Sequence, residues 1–84
     1  MNDPKAISTP DAPEAMGPYS QAKVANGFVF TAGQIPLNPE TGKLIDGDFS
    51  QQVFQVLSNI IAILEAAGTD ASRVVKLTVF LKDF

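Results

Sequence analysis

The chain has 84 residues, 45% of them hydrophobic and 18% charged, with six basic against nine acidic side chains and a formal net charge of -3. That length supports one small domain at most, and small domains bury a poor fraction of their surface, so the core must be efficient or shared. The absence of cysteine and histidine excludes disulfides, thiolate zinc sites and imidazole proton transfer, leaving carboxylates, lysines, one arginine, one tyrosine, hydroxyls and backbone amides as the chemical vocabulary.

Residues 1–18 hold four prolines, Pro4, Pro10, Pro13 and Pro18, and few large apolar side chains. They read as an extended arm, and the opening Met1–Pro10 lacks the apolar core of a secretory signal. Next, Gln21–Ala25 and Phe28–Ala32 flank Asn26-Gly27. Both turn residues tolerate positive φ, which predicts a two-residue hairpin with antiparallel strands.

The second strand runs into Thr31-Ala32-Gly33-Gln34-Ile35-Pro36-Leu37-Asn38-Pro39. One turn residue would end a strand, so this crowding of glycine, amide and prolines points to a backbone shaped for more than chain reversal. Asn38-Pro39-Glu40-Thr41-Gly42 then supplies a turn into Lys43-Leu44-Ile45, predicting a short second hairpin.

Asp48 and Gln51 match a loosened capping box, and Gly68 stands where a helix-ending glycine belongs. The intervening helix, about 19 residues or roughly 28 Å long, is unusually apolar. Phe49, Val53, Val56, Ile60, Ile63, Leu64 and Ala67 recur at helical spacing, and Phe54, Leu57 and Ile61 widen the stripe. Only Gln51, Gln52, Gln55, Ser58, Asn59 and Glu65 are clearly polar. The apolar run from Ile60 to Ala67 is interrupted by Glu65 and is far short of a membrane span.

The last predicted element is a strand over Val74–Leu81, rich in β-branched and aromatic residues. The order arm, hairpin, turn, helix, strand gives an α+β arrangement, a sheet with one helix packed on one face. The other face carries either Phe28, Phe30 and Ala32 or Val29 and Thr31. Neither set suits water, so more chain or another subunit is expected to cover it.

Four ordered segments carry a resemblance to a known family: Gly17-Pro18-Tyr19-Ser20-Gln21, Phe30 to Pro36, Leu64-Glu65-Ala66-Ala67-Gly68, and Val75 to Asp83. Together they closely resemble the RidA/YjgF family of reactive-intermediate deaminases, also catalogued as endoribonuclease L-PSP. The resemblance implies a chorismate-mutase-like α+β fold, with residues 19–84 as the N-terminal portion of a single RidA-like domain and the C-terminal part of the fold missing. It also implies a homotrimer with ligand pockets between subunits and neither cofactor nor metal; a cytoplasmic location is expected separately, from the missing membrane span and secretory signal. Its members hydrolyse enamines and imines of the 2-iminobutanoate and 2-iminopropanoate type to 2-oxo acids and ammonia.

By that resemblance Tyr19, Ala32, Gly33 and Gln34 bind substrate, with the Gly33 amide helping to hold the substrate carboxylate. A glycine backbone can approach a ligand closely and present its N–H. Ala32 stands where some members have serine, so a hydroxyl contact is lacking. The family's carboxylate-gripping arginine and water-activating glutamate lie beyond the segment matched by Val75–Lys82, so no catalytic residue is assigned and the chain alone is expected to be inactive. Arg73 and Glu65 are expected at the solvated surface and do not replace them.

Two other readings compete. A non-catalytic module of the same fold would bind a small metabolite without turnover. Ribonuclease activity, which the catalogue name implies, ranks last. Lys5, Lys23, Lys43, Arg73, Lys76 and Lys82 are dispersed and form no basic stripe for phosphates. The expected partner is thus a small imino or oxo acid, with no nucleic acid and no membrane.

Overall fold

The computed structural model describes residues 5–15 and 20–77. Within them lie three strands, β1 (Lys5–Ile7), β2 (Ala22–Ala25) and β3 (Phe28–Thr31), followed by one helix, α1 (Phe49–Ala66). Asn26 at φ 52° and Gly27 at φ 80° make the predicted hairpin turn, both in the left-handed region that matches the twist of the flanking strands. The sheet order is β1-β2-β3, antiparallel throughout, with Ile7 opposite Ala22 and Ala22 opposite Thr31. The arm therefore contributes an edge strand, which the proline-rich sequence conceals because only three residues pair.

The register decides which sheet face meets the helix. Ile7 and Ala22 form the core with Ala12 and Ile63, and Val24 and Val29 pack against them. Phe28 and Phe30 project from the opposite face, 58% and 63% exposed, with ring centroids 6.4 Å apart.

Asp48 and Gln51 form a reciprocal capping box at the start of α1. At its other end Gly68 has φ 87°; its N–H donates to the Glu65 carbonyl and that of Thr69 to the Leu64 carbonyl, both at 3.0 Å. This is the paired bonding of a Schellman ending, where glycine avoids the Cβ penalty of positive φ. An 18-residue helix is about 27 Å long, whereas strands of four residues run about 13 Å. The buried residues Asn59, Ile63 and Leu64 all fall in its second half.

The predicted apolar stripe is thus corrected. Phe49, Val53, Phe54, Leu57 and Ile61 are exposed, whereas the polar Asn59 is completely buried. The sheet is too short to cover the front of the helix, and the amide of Asn59 finds partners inside.

The second hairpin is reduced to one bridge, Leu37 opposite Leu44, reinforced by Asn38 N–H on the Lys43 carbonyl at 2.8 Å. Inside its turn the Asn38 Oδ1 accepts from Glu40 N–H at 2.8 Å. After a short 3-10 turn at Ala71–Arg73, Val74–Leu77 pairs with no strand among the described residues and Val75 is 88% exposed. This part of the predicted last strand is corrected: β-propensity makes a strand only where a neighbouring ladder is available. Thr78–Leu81 lies outside the described residues. Hydrogen bonds from the Ser72 hydroxyl and N–H, with Arg73 nearby, hold the exposed Asp70 carboxyl below its usual range.

Candidate functional site

β3 delivers Thr31 into an irregular segment, Ala32 to Ile35, that forms one wall of a cleft of ≈660 Å³. Three of the four predicted substrate-binding residues, Ala32, Gly33 and Gln34, line this cleft together. The fourth, Tyr19, lies outside the described residues. The opposite wall comes from the arm at Pro13, Glu14 and Ala15, while Lys23 and Phe30 contribute from the outer sheet face.

The arm wall is tied down by Gln21, which is 4% exposed. Its Nε2 donates to the carbonyls of Thr9 (3.0 Å), Ala12 (3.0 Å) and Pro13 (2.8 Å), sharing two N–H bonds among three acceptors. Its Oε1 accepts from Thr9 N–H at 2.6 Å. Gln21 also fixes the other wall, because its backbone carbonyl accepts from Ala32 N–H at 2.8 Å. One residue therefore spaces the two sides of the cleft.

Beyond Ala32 the backbone N–H groups of Gly33, Gln34 and Ile35 have no hydrogen-bond acceptor among the described residues. The Gln34 side chain folds back, Nε2 donating to the Ala32 carbonyl at 3.2 Å. Gly33 is exposed and does not have a left-handed φ, and a Cβ placed on it would meet nothing within 4 Å. Neither strain nor crowding within the chain calls for glycine here. A close visitor to the backbone remains a sufficient physical reason.

The arrangement suits a small anion with an aliphatic body. The Gly33 and Gln34 N–H groups, without an acceptor among the described residues, and the Lys23 ammonium provide donors for a carboxylate, and Phe30 and Ile35 provide apolar surface. Lys23 and Glu14 were missed in the sequence, where nothing marks them out; the hairpin register puts Lys23 opposite Phe30, a relation readable once the turn is placed. Glu65 and Arg73 are both exposed and do not line the cleft. Among the described residues no group of Asp and Glu is placed to hold a metal ion, and no helix is long and apolar enough to cross a membrane.

Comparison with known proteins places this geometry in a wider set. The model of the family described as Endoribonuclease L-PSP matches residues 9–84. A RutC family protein of Pyrococcus horikoshii is 54% identical over 79 residues, covering 94% of this chain and 63% of that protein. The 2-iminobutanoate/2-iminopropanoate deaminase of Escherichia coli is 47% identical over 79 residues, covering 94% of this chain and 61% of the enzyme. The crystal structure of Escherichia coli TdcF with bound serine superposes with a TM-score of 0.71 at 46% identity, covering 80% of this chain and 52% of that one. The chain thus spans somewhat over half the length of its relatives.

Proposed function

This chain belongs to the endoribonuclease L-PSP family, also called RidA/YjgF, and from that premise we propose that its cleft binds small 2-imino and 2-oxo acids in the hydrolysis of reactive imines. The observation that carries the reading is the Gly33 and Gln34 N–H groups, which have no acceptor among the described residues, set in a family that includes an imine deaminase 47% identical to this chain. The relative solved with serine supports a ligand of this size bearing a carboxylate.

In the proposed reaction water adds to the C=N carbon, the nitrogen takes up protons and leaves as ammonia, and a 2-oxo acid remains. Gly33 and Gln34 N–H hold the substrate carboxylate, aided by the Lys23 charge. Phe30 and Ile35 accept the aliphatic end, and the methyl of Ala32 leaves room for it. Water activation is assigned to none of these groups, so the 84-residue chain is proposed to bind without turnover. RNA cleavage draws no support from six dispersed cations and a net charge of -3.

Calorimetric titration with 2-oxobutanoate tests binding, and ammonia release from freshly generated 2-iminobutanoate tests turnover. Gly33→Val is expected to weaken binding by about tenfold while changing stability by no more than about 0.5 kcal/mol, since its side chain enters open space. Unchanged affinity in this variant would remove the backbone amide from the reading, and robust ammonia release by the short chain would overturn the assignment of catalysis elsewhere.

We further propose that the protein acts as a homotrimer in the cytoplasm, with neighbouring copies covering Phe28 and Phe30. Two phenyl rings about 60% exposed on one sheet face favour association through burial of apolar area. Sedimentation velocity should find a trimer for the wild type and a monomer for Phe30→Glu. A wild-type protein that stays monomeric at high concentration would contradict the assembly.

A further inference from the structure

Asn59 is 0% exposed on an otherwise apolar inner helix face. Burying a carboxamide costs about 1–3 kcal/mol unless its polar atoms are paired. Here all are paired, and the donors are spent far from the helix. Nδ2 donates to the carbonyls of Leu37 at 3.0 Å and Ile35 at 3.4 Å, while Oδ1 accepts from Gln55 Nε2 at 2.9 Å.

Ile35 and Leu37 continue the segment that carries the Gly33 and Gln34 amides. Leu37 N–H donates to the Ile35 carbonyl at 2.7 Å and Ile45 N–H to the Pro36 carbonyl at 2.9 Å. The first is the tight three-residue turn that the fixed φ of proline favours. Three successive carbonyls, those of residues 35, 36 and 37, are therefore held. Upstream, Ala32 N–H is held by the Gln21 carbonyl. Only Gly33 and Gln34 lie between the two anchors.

We infer that Asn59 is a positioning residue for the cleft: by gripping the Ile35 and Leu37 carbonyls it fixes the direction in which the Gly33 and Gln34 N–H groups point. The inference rests on the reading of those amides as the carboxylate site. A leucine at this place would fill the core without desolvation cost, so core packing alone gives no reason for an amide. Its two N–H bonds instead join the helix to the far end of the binding segment.

The test measures backbone order in the ligand-free 84-residue protein by nitrogen-15 relaxation. The amides of Gly33, Gln34, Ile35 and Leu37 in the wild type should show order parameters near about 0.85, and in Asn59→Leu they should fall to about 0.6 or below while β2 and β3 keep theirs. Asn59→Asp is the second variant. As a carboxylate it offers only acceptors to two carbonyls; protonated, it regains an O–H donor. Its local order should be lost at about pH 8.5 and recover on acidification to about pH 4.5, the interval in which a buried carboxyl titrates, with no such change in the wild type.

Unaltered order at the amides of Gly33, Gln34, Ile35 and Leu37 in Asn59→Leu, or loosening spread evenly over β2 and β3, would overturn the positioning role. Titration with 2-oxobutanoate separates the two claims: affinity about tenfold weaker in Asn59→Leu supports both. A wild type that does not bind 2-oxobutanoate removes the substrate reading, while the relaxation data still decide whether Asn59 holds the segment.

Discussion

Ile63→Ala is expected to lower the unfolding free energy by about 3 kcal/mol, within the usual range of about 2–5 for emptying a buried aliphatic site. Ile63 is 0% exposed and joins the helix to Ile7, Ala12 and Ala22. It is the one large aliphatic side chain in that cluster contributed by α1, and the alanines beside it, Ala12 and Ala22, are too small to close over a void. A small domain has only about 5 kcal/mol to lose at the low end of the stability range, so the variant should be largely unfolded under mild denaturant. Phe54→Ala is the control. Phe54 is 73% exposed, and removing it should change stability by no more than about 0.5 kcal/mol. Urea denaturation of the two variants checks the contrast; equal losses would mean that the helix packs through a different face.

Gln21→Leu should cost about as much, about 3 kcal/mol, by a different route. Leucine fills a similar volume but leaves Thr9 N–H and the carbonyls of Thr9, Ala12 and Pro13 without the partners they now have. Each polar group left buried and unpaired costs about 1–3 kcal/mol, moderated where water can reach it. The arm should then detach, and one wall of the cleft with it. Faster proteolysis between Thr9 and Ala15, together with weaker binding of 2-oxobutanoate, is the expected result. An intact arm in Gln21→Leu would show that packing of Ile7 and Ala12 suffices to hold it.

The sequence made the local devices legible because their chemistry is local. Asn26-Gly27 announced a turn through its tolerance of positive φ, and Asp48, Gln51 and Gly68 announced both ends of the helix. The fold class followed from those elements. The crowded segment from Thr31 to Pro39 is the stretch in which Ala32, Gly33 and Gln34 line the cleft.

Long-range partners were not legible. The burial of Asn59 was hidden because polarity and helical spacing cannot reveal that carbonyls 22 and 24 residues away will satisfy it. The edge strand at Lys5–Ile7 was hidden for a related reason: its register is set by β2 and not by any pattern of its own. Val74 to Leu77 gave the opposite lesson, with strong β-propensity and no ladder among the described residues. Phe49 and Val53 had helical periodicity without a sheet long enough to cover them.

The central claim is that two anchored flanks leave the Gly33 and Gln34 amides free to receive a carboxylate. A nitrogen-15 correlation spectrum recorded during titration with 2-oxobutanoate tests it most directly. The predicted result is a saturable shift largest at Gly33 and Gln34, with smaller changes at Lys23 and Ile35. Shifts centred instead on Thr9, Ser58 and Ile61, which line a separate cleft between the arm and α1, or none at any concentration, would contradict it.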